Sequence, residues 1–104
     1  MEKRKPHYAL AAIQAQMVAV EGLRMTRSAA VSCTAIGWSL SEAVQVVQSL
    51  SARAFYKSMT THFDPRIWQD VYHAEHLGEW LYVKFQRDED GYFTISFNRF
   101  SDGD

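Results

Sequence analysis

Tyr82, Lys84 and Gln86 alternate with Leu81, Val83 and Phe85 along one short stretch of the chain. In an extended strand alternate side chains share a face, so a phenol, an ammonium and a carboxamide would project together. Such a row can exchange a proton, stabilise extra negative charge on a phosphate and orient a substrate, all without a metal. Spacing alone favours a plainer reading, a solvated strand face. Trp68, Tyr72 and Trp80 could stack on bases, as aromatic side chains do in single-stranded RNA sites, or they could fill a core. Parity puts Trp68 and Tyr72 on the face opposite Gln69.

Other chemistries find less support. His62 lies near Asp64, and His73 near His76, but neither pair has a third ligand at a recognisable spacing. No metal or other cofactor is therefore expected. Cys33 sits in an apolar helical stretch, where a free thiol more often packs than reacts. As the lone cysteine it cannot form an internal disulfide, which points to a reducing cytoplasm. Lys3, Arg4 and Lys5 resemble the start of a signal peptide, but the apolar stretch after them is interrupted by Gln14 and Gln16 and ends at Glu21. No run approaches about 18 apolar residues, so no membrane segment is expected.

These side chains must be positioned by one small body. At 104 residues, half the chain could not bury a core of its own, so residues 1–104 are expected to form a single domain with a loose tail after about residue 100. A hydrophobic share of 47% with 22% charged residues is that of a folding chain. The net charge of −1 is low for a protein that handles RNA. Its distribution is uneven, however: Asp88, Glu89, Asp90, Asp102 and Asp104 are acidic, whereas Lys3, Arg4, Lys5, Arg24 and Arg27 lie early.

The pattern predicts a first helix from about His7 to Val20, with Pro6 in its first turn and Leu10, Ile13, Met17 and Val20 at helical spacing. Glu21-Gly22 stops it. Ser28 is the expected cap of a second helix through Ala35, with Gly37 after its end. Ser39-Leu40-Ser41-Glu42 is a capping box for a third helix that turns Val44, Val47 and Leu50 inward. Beyond Leu50 the helical stripe is lost, and Tyr56–Thr60, Ile67–Tyr72, Trp80–Gln86 and Tyr92–Asn98 read as strands. The last two share one core face only if odd residues oppose odd ones. A three-residue loop, Glu89-Asp90-Gly91, satisfies this, with Gly91 at the left-handed position. It pairs Phe85 with Ile95, Val83 with Phe97, Lys84 with Ser96 and Tyr82 with Asn98. Helices first and antiparallel strands afterwards give an α+β fold, with the N-terminal helices on one face of the sheet.

Longer runs carry a resemblance. Phe55-Tyr56-Lys57-Ser58-Met59-Thr60-Thr61 and Ile67-Trp68-Gln69-Asp70-Val71-Tyr72 look like the signature of the MqsR toxins, of the wider RelE-like group. Met1-Glu2-Lys3-Arg4 with Pro6-His7, Thr26-Arg27-Ser28-Ala29, Leu81-Tyr82-Val83-Lys84 and Ile95-Ser96-Phe97 add to it, so the match spans nearly the whole chain in order. The resemblance implies a RelE-like endoribonuclease toxin of a type II toxin-antitoxin pair. Such a toxin cuts mRNA without a metal, at GC-containing sites such as GCU. It is silenced by the antitoxin MqsA, which itself binds DNA, so contact with DNA would be indirect. The functional residues carried over are Lys57, Gln69 and Tyr82. The chain departs from the family at Gln14-Ala15-Gln16, where basic residues are usual, at His73-Ala74 in place of Arg-Pro, and at Asn98 in place of a lysine, with Arg99 following.

On this reading the ribose 2′-hydroxyl attacks the adjacent phosphorus, Lys57 neutralises charge, Gln69 positions the nucleotide and Tyr82 moves a proton or holds the phosphate. A free tyrosine titrates near pH 10, so its anion would need cations beside it, a role for Lys57 and Lys84. Lys84, His73 and Arg99 are the candidate substrate contacts, and His73, as an imidazole that titrates near neutrality, is also a secondary proton carrier, although a surface histidine is the plainer reading. The alternative is a catalytically weak relative serving as a protein-binding module for an antitoxin or repressor through a sheet edge. A DNA-binding regulator acting alone lacks a basic recognition helix.

Overall fold

The computed structural model describes residues 1–102. Three helices, α1 (Leu10–Gln16), α2 (Arg27–Ile36) and α3 (Leu40–Ser49), cover one face of a sheet of strands β1 (Glu2–Lys3), β2 (Phe55–Thr60), β3 (Trp68–His76), β4 (Glu79–Arg87) and β5 (Phe93–Arg99). The strands lie in sequence order, each antiparallel to the next. The fold is thus α+β, as the order of periodicities predicts.

The β4–β5 hairpin has the predicted register: Tyr82 faces Asn98, Val83 faces Phe97, Lys84 faces Ser96 and Phe85 faces Ile95. Gly91, with φ of 87°, closes the turn inside an Asp88 N–H to Tyr92 carbonyl bond. β3 runs four residues beyond the predicted Tyr72, because a second tight hairpin joins it to β4. Leu77 (φ 52°) and Gly78 (φ 83°) are both left-handed there, the geometry of a type I′ turn, whose twist matches that of the strands.

The first helix is shorter than predicted and starts at Leu10, so Pro6 lies outside it. The backbone amides of His7 and Tyr8 donate instead to the Asp70 carboxylate at 2.9–3.0 Å, a long-range anchor that replaces the first helical turn. At the other end Met17 caps the helix and Val20–Gly22 form a separate 3-10 turn. Thr26, not Ser28, caps α2, its hydroxyl accepting from the Ala29 amide at 3.1 Å. Gly37 follows with φ of 77°. The Ser39–Glu42 capping box forms as predicted. In α3, Ala43, Val46 and Val47 are buried together with Leu50 after its end, whereas Val44 is only half-buried.

Between the layers Ile13, Met17, Ala29, Cys33, Trp38 and Val47 meet Tyr72, Leu81, Val83, Phe85, Ile95 and Phe97. Burial pushes the Tyr72 phenol up to about 12 and also raises the Cys33 thiol, so both stay neutral and serve packing.

Two glutamines stitch α1 to its neighbours. The Gln14 amide donates to the carbonyls of Val47 and Leu50 at 3.1 and 2.9 Å. Gln16 exchanges two bonds with the Phe93 backbone, both 2.8 Å, and donates to the Gly22 carbonyl at 3.1 Å. Gly22 is required at this crossing, since a Cβ there would lie 1.8 Å from the Gln16 carbonyl oxygen. Gly22→Ala is expected to cost about 2 kcal/mol through overpacking, seen as a fall in Tm of roughly 10 °C in a thermal melt. An unchanged Tm would mean that the crossing opens without strain.

Candidate active site on the exposed sheet face

The face of the sheet away from the helices is built by register. In one row Lys57 opposes Val71, which opposes Lys84 and then Ser96. In the next, His73 opposes Tyr82, which opposes Asn98. On the other side Met59 opposes Gln69, whose amide donates to the Gln86 carbonyl oxygen at 3.3 Å. Three adjacent strands therefore bring Lys57, Gln69 and Tyr82 onto one face, with Lys84 and His73 between them. Strands lie about 4.8 Å apart, so Lys57 and Lys84, flanking Val71, sit about 10 Å apart at the backbone. Their stems share a row with Val71, which is fully buried.

A bulge in β2 between Phe55 and Lys57 adds Tyr56 to this face. Its ring lies 4.4 Å from His73 and 6.1 Å from Tyr82, and the Lys57 ammonium is 5.2 Å from it. Lys57 is only 13% exposed and pairs with Glu2 at 2.8 Å. That bond holds the Glu2 carboxyl below the usual carboxylate range. The Arg4 guanidinium is 5.9 Å from the Tyr56 ring, so the edge carries Lys57 from β2 and Arg4 from just after β1. On the far side of Tyr82, Phe100 stacks on its ring at 4.3 Å and 20° and also touches His73 and Trp80. Phe100 opens a 3-10 turn through Asp102. The last two residues of the tail expected after about residue 100 lie outside the described residues.

Arg99 is not brought to this face. It opposes Leu81, and its guanidinium donates to the Ala35 carbonyl at 3.0 Å and meets Glu79 at 3.4 Å on the helix side. Trp68 is likewise on the helix side, stacked on His7 with the Lys3 ammonium 4.2 Å from its ring, and Tyr72 is core. Trp80 alone of the three proposed stacking residues remains on the exposed face, and it is 52% exposed. His73 and His76 cannot share an ion, because His76 turns to the helix side and bonds Glu42 at 3.1 Å. Among the described residues no three His, Cys, Asp or Glu side chains are placed to hold a metal.

An open pocket of about 330 Å³ surrounds the Gln69 end of the face, lined by Gln69, Gln86, Ser96, Thr26, Ser28 and Met59 among others. Its amides and hydroxyls are the donors and acceptors that a nucleobase edge needs. Tyr56 was missed by sequence reasoning because a bulge breaks the parity from which faces are assigned. Asp70, beside Gln69, points the other way, is fully buried and accepts from Ser58 at 2.6 Å.

A sequence profile of the family described as "Motility quorum-sensing regulator, toxin of MqsA" matches residues 5–99. The chain belongs to this toxin family. A curated relative, the mRNA interferase toxin MqsR of Escherichia coli (strain K12), is 39% identical over 84 residues, which cover 81% of this chain and 85% of the relative. Two of the departures from the family now have a structural meaning. Gln14 and Gln16 are spent on clamping α1, and Asn98 stands directly opposite Tyr82. Phe100 lies just outside the matched span.

Proposed function

We propose that this protein is a toxin that cuts mRNA within the strand, without a metal, at GC-containing sites such as GCU. In this reaction the 2′-oxygen attacks the adjacent phosphorus and gives up its proton, the bond from phosphorus to the 5′-oxygen breaks, and that oxygen takes up a proton. The products are a 2′,3′-cyclic phosphate and a 5′-hydroxyl. Lys57 and Lys84, flanking Val71, neutralise the extra charge on the phosphate in the transition state. Tyr82 carries a proton at one of the two reacting oxygens, and Gln69 seats a base in the polar pocket beside it. The observation that carries this reading is the convergence of Lys57, Gln69 and Tyr82 from three strands on one face.

The family description points to an MqsA-type antitoxin as the partner. On the proposed reading DNA is reached only through that partner, and the cytoplasm is the place of action. The test is incubation of the purified chain with a defined RNA containing GCU in excess EDTA, followed by mapping of the fragment ends. Cutting should persist and leave cyclic phosphates; activity lost on chelation and restored by a divalent ion would overturn the mechanism. Asn98 opposite Tyr82, where the resemblance implies a lysine, favours the second reading, a binding module without turnover. That module would hold the antitoxin and leave the RNA intact in the same assay.

A further inference from the structure

Trp80 takes no part in the chemistry above, yet it lies on the same face as Tyr82, two residues away on β4, and is half in solvent. Large aromatic side chains left in solvent next to an active face are stacking surfaces when a flat ligand is at hand. Phe100 links the two, stacked on Tyr82 at 4.3 Å and 5.9 Å from the Trp80 ring. Beside Trp80 an open groove of about 430 Å³ runs along the end of β3, where β2 has already left the sheet. It is lined by His73, Glu75 and Trp80 together with Ser49 at the end of α3 and Ser51 and Arg53 from the segment after it. Arg53 is exposed and forms no ion pair among the described residues. Glu75 is the one acid in the groove, and one of its oxygens is held by the Gly78 amide at 2.9 Å.

We propose that this groove is a second nucleotide subsite, in which a base next to the cleaved position stacks on Trp80 and Phe100 while its phosphate meets Arg53. The inference rests on the ribonuclease reading. It adds a direction to it: RNA crosses the sheet from the polar Gln69 pocket, over Lys57, Lys84 and Tyr82, to the aromatic groove. The two ends differ in chemistry. The Gln69 end reads base edges through amides and hydroxyls, whereas the Trp80 end offers π-faces and one cation, which tolerate any base. An anionic, flat ligand fits an exposed indole beside an unpaired guanidinium better than an extended peptide does, since no acceptor-rich side chain other than Glu75 faces the groove.

The test uses the full chain and a short RNA made uncleavable by a 2′-O-methyl group at the cut nucleotide, with its all-ribose twin as the cleavage control. Trp80→Ala should weaken binding roughly tenfold, Trp80→Phe should restore most of it, and Arg53→Gln should weaken it severalfold and reduce its salt dependence. Removing from the RNA the nucleotides on one side of the cut should cost the parent protein the same factor and leave Trp80→Ala no weaker than the parent. Equal binding by the parent and Trp80→Ala, with the ribose twin still cut, would overturn the subsite and leave the ribonuclease reading intact. Loss of antitoxin affinity in Trp80→Ala with RNA binding unchanged would make the groove a protein-docking face and also overturn it. If the parent neither binds nor cuts RNA, both readings fall.

Discussion

Tyr82→Phe is expected to slow RNA cutting by at least about a hundredfold, about 3 kcal/mol of transition-state stabilisation, while Tm stays within a degree or two of the parent. The substitution removes one hydroxyl and keeps the ring, so the stack on Phe100 and the edge contact with His73 at 5.3 Å both survive. A polar group on a half-exposed strand face contributes within about 0.5 kcal/mol to stability, so a loss of activity without a loss of fold isolates the chemistry. Lys57→Ala and Gln69→Ala should behave alike in rate. Lys57→Ala also releases Glu2, and Gln69→Ala frees Gln86. Fragment yield per enzyme under single-turnover conditions, read beside a thermal melt, separates the two effects. Cutting by Tyr82→Phe at the parent rate would move the proton-carrying role to His73 or leave the binding-module reading standing.

Asp70→Ala should do the opposite, destabilising the protein by about 3–5 kcal/mol. The carboxylate is fully buried and accepts from the Ser58 hydroxyl and from the His7 and Tyr8 amides. Truncation leaves three donors without their acceptor, at about 1–3 kcal/mol each where water cannot replace it. The Tyr8 hydroxyl bond to the Trp68 carbonyl at 2.7 Å would lose its alignment as well. In a domain of this size that corresponds to a fall in Tm of roughly 15 °C or more. Asp70→Asn keeps the shape and one acceptor, and should lose about half as much. A urea midpoint for Asp70→Ala close to that of the parent would show that the N-terminal segment is held by something else.

The two effects fall on adjacent residues of one strand motif, and the sequence distinguishes them only by parity. Gln69 and Asp70 point to opposite faces, one to the pocket and one to the anchor. Parity also placed Trp68 and Tyr72 away from the site, and it fixed the β4–β5 register together with Gly91, since both strands alternate without interruption. It failed where the backbone departs from a regular ladder. The Tyr56 bulge is invisible in composition, and His73-Ala74-Glu75-His76 shows no apolar alternation that would extend β3. The overlong first helix has a similar cause, for the acceptor that replaces its first turn lies 63 positions away. Thr26 and Ser28 are both good caps, and the choice between them is made by the pairing of the Thr26 amide with Ile95 at 3.2 Å. Arg99 was placed beside Asn98 by adjacency, although alternation along β5 sends the two to opposite faces. Lys57 and Gln69 had no local pattern to mark them and came from resemblance alone.

β1 is two residues long, yet it closes the edge of the sheet: Glu2 pairs with Met59 and Lys3 with Ser58, and the terminal ammonium reaches the Thr60 hydroxyl at 3.1 Å, 59 positions away. The β1–β2 pairing is thus the one ladder among the described strands that joins residues far apart in sequence. The hairpins between β2 and β5 join neighbours in sequence and close short loops, whereas docking β1 must offset the entropy of a loop more than half the chain long. Until it docks, the outer edge of β2 presents unpaired amides and carbonyls beside Lys57, a template for a strand from another chain. A folding molecule with β2 to β5 in place and β1 undocked is thus expected to leave the Lys57 edge uncapped, where a strand from a partner could pair before β1 returns.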